Sequence, residues 1–94
     1  MNVVVHHIGP SCVQCNQTKR VMNQLGIAFD EIDLRQHPEL VESFKEQGHL
    51  TAPIVTAGTE IWSGFRLERI RGLALILDLE RAHLPFEHRG KNAD

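Results

Sequence analysis

The apolar residues of the chain fall into short runs that alternate between strand-like and helix-like spacing. Residues 3–8 are mostly β-branched and end at Gly9-Pro10, a turn signal, so they predict a first strand. In residues 13–25 the apolar positions recur three or four residues apart, which predicts a helix that Gly26 ends. Residues 27–34 predict a second strand, although their apolar spacing changes phase midway.

The second half of the chain continues with a helix, two strands and a further helix. Pro38 occupies the first position of a predicted helix, and Gly48 follows its end. Residues 54–57 and 60–62 predict two strands that the turn between them joins in a hairpin. Residues 65–84 predict a third helix, in which Gly72 costs about 1 kcal/mol relative to alanine. Close packing at Gly72, or a break of the helix into two pieces, would account for this glycine.

The resulting order βαβαββα is that of an α/β protein. We expect one domain over residues 1–84 and a polar tail over residues 85–94 that frays. Apolar residues make up 41% of the chain and charged residues 23%, as in an ordinary soluble domain. The net charge of −2 provides no broad basic surface, so we expect neither nucleic acid nor a membrane as a partner.

The cysteine content narrows the class of chemistry. The start of the chain has no basic segment followed by an apolar core, and no run approaches the roughly 20 apolar residues of a membrane span. We therefore expect a cytoplasmic protein. Only two cysteines occur, whereas a small secreted domain stapled by disulfides usually carries more. A close pair of cysteines in a reducing compartment indicates catalysis or metal binding.

The motif Cys12-Val13-Gln14-Cys15 lies at the predicted start of the first helix. Disulfide exchange needs a thiolate, so a catalytic cysteine needs a pKa below its usual value of about 8.5. The unpaired N–H groups of a helix N-terminus stabilise a thiolate at Cys12. Cys15 follows one turn later, where it can resolve a mixed disulfide. Nearby, Lys19 and Arg20 could add positive potential or contact a partner.

Three other interpretations of the cysteine pair stay open. A structural disulfide is disfavoured by the expected compartment. A zinc site could include His6 and His7, but zinc normally takes four ligands and the chain has no second pair of this kind. In the third interpretation, the cysteine pair binds an iron–sulfur cluster shared between two chains or reports the redox state as part of a sensing module. We assign no metal ligand and give the histidines no part in the chemistry.

The element order resembles the minimal, glutaredoxin-like form of the thioredoxin fold. That resemblance implies a four-stranded mixed sheet in the order 2-1-3-4, flanked by three helices, with the third strand antiparallel to the first. It also gives a meaning to Thr51-Ala52-Pro53, which precedes the third strand. Thioredoxin-like proteins place a cis proline here beside the reactive cysteine. The resemblance therefore implies that Pro53 is cis and that Ala52 offers backbone hydrogen bonds to an incoming peptide or glutathione.

Two motifs together resemble those of NrdH-redoxins. One is the redox motif followed by Thr18 and Lys19; the other is Trp62-Ser63-Gly64-Phe65-Arg66. The resemblance covers residues 1–75 and implies a dithiol carrier with no bound cofactor. It implies that thioredoxin reductase supplies electrons from NADPH and that the large subunit of class Ib ribonucleotide reductase receives them. Leu67 and Ala52 depart from the family, which often has proline and leucine at these positions.

Phe65 and Arg66 also distinguish this branch from glutaredoxins that use glutathione. Those proteins place paired acidic residues here, which grip the ammonium group of glutathione. An aromatic ring and a cation cannot do this, so glutathione is an unexpected partner. Trp62 and Phe65 either pack in the core or also form an apolar platform for a protein partner. A glutathione-dependent glutaredoxin and a general protein-disulfide reductant are the alternatives within this chemistry.

Overall fold

The computed structural model describes residues 1–83 of the 94-residue chain. The strands are β1 (Val3–His7), β2 (Asp30–Asp33), β3 (Ile54–Ala57) and β4 (Glu60–Ser63). The helices are α1 (Val13–Gln24), α2 (Pro38–Glu46) and α3 (Leu67–His83), with a 3₁₀ turn at Leu34–Gln36. The predicted order βαβαββα is confirmed. The domain boundary predicted at residue 84 and the tail at 85–94 lie outside the described residues.

The four strands form one mixed sheet in the order β2-β1-β3-β4. β1 runs parallel to β2 and antiparallel to β3, and β4 is antiparallel to β3. Val55 in β3 lies opposite both Val5 of β1 and Trp62 of β4. The sheet implied by the resemblance is therefore present, with α1 beginning directly after β1.

Alternation along the strands divides the buried side chains between the two faces of the sheet. The larger cluster joins the sheet to α1 and α3. It comprises Val3, Val5, Met22, Ile27, Val55, Ala57, Trp62, Ile70 and Leu73. A smaller cluster joins Ile54 to Leu34 and to Phe44 of α2. The start of α1 therefore projects from a framework that is packed on both sides.

The second strand is shorter than the pattern predicts. Ile27 is buried but precedes the strand, which begins at Asp30. At the other end, the Asp33 carboxylate accepts a hydrogen bond from the Arg35 backbone N–H at 3.0 Å and caps the 3₁₀ turn. This cap turns the chain into the 3₁₀ turn at Leu34, so the strand ends at Asp33. The strand predicted over residues 27–34 is therefore too long at both ends, and the cap explains its C-terminal end.

Helix α3 is continuous through Gly72, so the predicted break is absent. A Cβ atom added at Gly72 would have no neighbour within 4 Å, and close packing is therefore not the reason for glycine either. Nothing in the structure explains this residue. Among residues 1–83, no helix combines the length and apolar character that crossing a membrane requires.

Candidate redox site

Cys12 and Cys15 lie at the N-terminus of α1 and are joined by a disulfide. Their Cα atoms are 5.3 Å apart, within the usual range for a disulfide. Cys15 is fully buried, whereas Cys12 is partly exposed. The pair thus has one sulfur that a partner can approach and one that is enclosed by protein.

Cys12 is also the N-cap residue of α1. Its backbone is extended, with φ −81° and ψ 108°, and its Sγ accepts a hydrogen bond from the Cys15 N–H at 3.2 Å. The first N–H groups of a helix have no partner within the helix, and their partial positive charge favours an anion. The first turn of α1 has no acidic side chain to offset this charge. The site can therefore stabilise a thiolate at Cys12.

A second segment, Thr51-Ala52-Pro53, leads into β3. The Ala52–Pro53 peptide bond is cis, as the resemblance implied. Pro53 is buried, Ala52 is partly exposed and Thr51 is exposed. The Pro53 carbonyl accepts a hydrogen bond from the Gly64 N–H at 2.8 Å, which ties this segment to the loop after β4.

Gln14 connects the redox motif to the same loop. Its Oε1 accepts a hydrogen bond from the Phe65 N–H at 2.9 Å. Gly64 has a φ of +83°, and a Cβ atom there would lie 3.2 Å from the Gln14 Oε1. Only glycine suits this position without strain or crowding. Three segments that are distant in sequence therefore meet at one site.

The family relationship follows from comparison with known proteins. The model of the Glutaredoxin family matches residues 3–62. The glutaredoxin-like protein NrdH of Escherichia coli K12 is 44% identical over 62 residues, which are 66% of this chain and 76% of that protein. That of Lactococcus lactis strain IL1403 is 39% identical over 64 residues, 68% of this chain and 89% of that protein. The chain belongs to the NrdH family of glutaredoxin-like proteins.

A solved structure agrees with this assignment. The NrdH-redoxin of Escherichia coli, described as a glutaredoxin-like protein with a thioredoxin-like activity profile, superposes with a TM-score of 0.74 at 38% identity. The match covers 78% of this chain and 95% of that one. The resemblance inferred from the two motifs is thereby confirmed, as is the thioredoxin-like fold.

The two aromatic residues of the second motif differ in exposure. Trp62 is only 4% exposed and belongs to the larger core cluster, with the Arg69 guanidinium 5.3 Å from its ring centre. Phe65 packs against that cluster but remains partly exposed. In this NrdH-family protein, Phe65 is thus the one of the two that offers a surface beside the redox motif.

Two of the predicted cations have carboxylate partners. The Lys19 Nζ lies 3.1 Å from the Glu31 carboxylate, and an Arg66 guanidinium nitrogen lies 3.5 Å from that of Glu68. Arg20 is exposed on α1. The positive potential predicted near the redox motif is therefore partly compensated at Lys19.

The remaining residues of the predicted site lie at its edges. Val13 is 69% exposed beside Cys12. Ser63 is partly buried, and its hydroxyl shares a hydrogen bond of 3.3 Å with the His49 ring. Among residues 1–83, no group of three or more His, Cys, Asp or Glu side chains is arranged to hold a metal ion.

The sequence reasoning missed an arginine that supports the loop before Cys12. A Cβ atom on Gly9 would lie 2.7 Å from an Arg35 guanidinium nitrogen, so that cation rests directly on the loop. Asp33 holds the guanidinium at 2.7 Å, and hydrogen bonds from Arg35 lower the pKa of the Asp33 carboxyl to about 2. Parallel neighbouring strands end at the same edge of a sheet. The residues that follow β2, including Arg35, could therefore have been placed near the loop that follows β1.

Two histidines excluded from the chemistry have structural contacts here. The His7 Nδ1 accepts a hydrogen bond from the Gly9 N–H at 3.0 Å, which shapes the turn before Cys12. His6 is buried, and its Nδ1 lies 2.8 Å from the Ile54 carbonyl oxygen, directly after Pro53. The Phe44 ring packs edge-on against it at 4.9 Å. Burial lowers the pKa of His6 below its usual value of 6.5, although the bond to Ile54 opposes this shift.

Acid should therefore destabilise the fold through His6. Because the pKa is lowered in the folded state, the unfolded chain binds a proton more readily, and the free energy of unfolding falls as the pH drops below about 6.5. Above about pH 6.5, His6 makes its full contribution to the free energy of unfolding. Urea unfolding at pH 7.5 and 5.5 should show this loss in the wild type. The loss should be smaller in His6→Asn, whose amide nitrogen takes the place of Nδ1 and can donate to the same carbonyl without titrating. An equal loss in both proteins would contradict the assignment.

Proposed function

We propose that this NrdH-family protein is a dithiol-disulfide oxidoreductase that carries electrons from thioredoxin reductase to the large subunit of class Ib ribonucleotide reductase. NADPH is the ultimate donor, and the chain itself needs no bound cofactor. The observation that carries the proposal is the disulfide between a partly exposed Cys12 at a helix N-cap and a fully buried Cys15. We place the reaction in the cytoplasm, where thiols are kept reduced.

The reaction is a pair of thiol-disulfide exchanges. The Cys12 thiolate attacks one sulfur of the target disulfide, and the other target sulfur leaves as a thiolate. Cys15 then attacks the Cys12 sulfur of this mixed disulfide, which closes the Cys12–Cys15 disulfide and releases the second target thiolate. Thioredoxin reductase returns two electrons, and with two protons the dithiol is restored. Burial of Cys15 keeps it from competing for the target.

The target chain binds around Cys12 in this proposal. Val13 provides an exposed apolar contact, and the Ala52 backbone beside Pro53 pairs with the incoming chain, with Thr51 at its edge. Gln14 holds the Phe65 loop in place through its 2.9 Å hydrogen bond, so that the Phe65 ring borders the redox motif. Arg20 supplies exposed positive charge for partner contacts, and the exposed Arg66 guanidinium reaches the same surface from its pair with Glu68.

Discrimination against glutathione follows from the same loop. By the family resemblance, Phe65 and Arg66 correspond to the acidic residues with which other glutaredoxins bind the ammonium group of glutathione. Neither an aromatic ring nor a guanidinium offers a negative charge to that group. The Escherichia coli relative is described as having a thioredoxin-like activity profile. Both observations favour thioredoxin reductase over the glutathione system as the electron donor.

A direct test compares two electron sources with one substrate. Turnover of insulin by the chain with NADPH and thioredoxin reductase should greatly exceed turnover with glutathione, glutathione reductase and NADPH. The double variant Phe65→Asp/Arg66→Asp should gain activity with glutathione, because it supplies carboxylates for the ammonium group. A wild-type preference for glutathione would refute the proposed donor. Equal rates with insulin and with oxidised class Ib large subunit would indicate a general reductant instead.

A further inference from the structure

Thr18 carries a buried hydroxyl that the oxidised protein leaves without a partner. The residue is fully buried, and its Oγ1 has no hydrogen-bond partner in the protein among residues 1–83. A threonine within a helix usually bonds back to a carbonyl three or four residues earlier. Thr18 does not do so, although the Gln14 and Cys15 carbonyls lie at those positions. A buried hydroxyl is costly to leave unpaired, so its retention calls for a partner in another state.

The residue three positions earlier is Cys15, which is also fully buried. Side chains at this spacing share one face of a helix, with Cβ atoms roughly 5–6 Å apart. In the disulfide, the Cys15 sulfur is bonded to Cys12 and forms no hydrogen bond with Thr18. Once the disulfide opens, the Cys15 sulfur is a thiol, and it becomes a thiolate when it attacks the mixed disulfide. The thiolate is a much stronger acceptor than a disulfide sulfur, and it too is costly to bury without a donor. Once the disulfide opens, the Thr18 hydroxyl can therefore donate a hydrogen bond, and the Cys15 sulfur can accept it.

We propose that Thr18 is a positioning residue for the resolving cysteine, and that its hydroxyl donates a hydrogen bond to the Cys15 sulfur only when the disulfide is open. The inference rests on the proposed cycling of Cys12 and Cys15. Reduction by a dithiol breaks the bond between the two sulfurs, transfers two electrons and two protons to them, and leaves the donor as a disulfide. Because the hydrogen bond exists only afterwards, Thr18 shifts this equilibrium toward the dithiol form and stabilises Cys15 as it attacks the mixed disulfide.

The reduction potential provides the test, because a purely structural role would not change it. The wild type and Thr18→Val are equilibrated with dithiothreitol buffers of graded ratio. We expect the equilibrium of the valine variant to shift about tenfold toward the disulfide, which is about 30 mV more negative. Thr18→Ser keeps the hydroxyl and should stay within about twofold of the wild type. Thr18→Ala also lacks the hydroxyl, so it should shift as valine does if the valine variant folds poorly.

Thermal unfolding of both redox forms gives a second readout. Thr18→Val removes an unpaired buried hydroxyl from the oxidised form and a hydrogen bond from the reduced form. The Tm of the oxidised form minus that of the reduced form should therefore be higher in the variant than in the wild type. An unchanged potential in the valine and alanine variants, or an equal change of Tm in both forms, would overturn the role of Thr18 alone. A wild type that does not cycle between disulfide and dithiol in these buffers would overturn the proposed function as well.

Discussion

Replacing Cys12 by serine should abolish disulfide reduction, whereas replacing Cys15 by serine should leave a protein that captures its target and does not release it. The two sulfurs differ in exposure, since Cys15 is fully buried and Cys12 is not. A serine hydroxyl at position 12 is a far weaker nucleophile than a thiolate at neutral pH. With serine at position 15, Cys12 still attacks, but nothing resolves the mixed disulfide.

Insulin reduction coupled to NADPH oxidation would measure the first effect, with turnover of Cys12→Ser at the level of the blank. Incubation of Cys15→Ser with a peptide disulfide, followed by mass spectrometry, should reveal a covalent adduct that dithiothreitol removes. Ser11→Ala provides a matched control, because Ser11 is an exposed neighbour of the motif and should keep activity. Residual turnover in Cys12→Ser, together with adducts formed through Cys15, would reverse the two assignments.

Trp62→Ala should cost about 3–5 kcal/mol of the free energy of unfolding, which is the usual range for a large aromatic side chain removed from a core. Trp62 is 4% exposed and packs within the cluster that joins β4 to α1 and α3. A domain of this size has a total stability on the order of 5–15 kcal/mol. The substitution therefore removes a large part of the stability.

Urea unfolding followed by circular dichroism would measure this loss. Leu75→Ala is the control, because Leu75 is 65% exposed and its truncation should change the stability by less than about 0.5 kcal/mol. Trp62→Phe keeps an apolar ring and should retain more of the stability than alanine does. A loss below about 1 kcal/mol for Trp62→Ala would contradict the burial of Trp62 in the core and would indicate that its side chain lies on the surface beside Phe65.

Some features of the site could be predicted only because a family resemblance supplied them. The cis bond at Pro53 and the order of strands are examples, since neither leaves a mark in local apolar spacing. The β-branched run of β1, its turn at Gly9 and the helical spacing of α1 are local signals, and they placed the redox motif at a helix start. The predicted second strand continued past its true end because the Asp33 cap acts through one hydrogen bond, which the spacing of apolar residues does not reveal.

By itself, the sequence determined the order of the elements, the position of Cys12 and Cys15 at a helix N-terminus, and the absence of a carboxylate at Phe65 and Arg66. These properties depend on residue type and on spacing within one or two turns. The tertiary structure alone decided which distant groups meet. It joined Gln14 to Phe65 across 51 positions, enclosed Trp62 and brought Lys19 to Glu31. Such contacts depend on how the strands pair and how the helices pack, and no local pattern of apolar and polar residues encodes them.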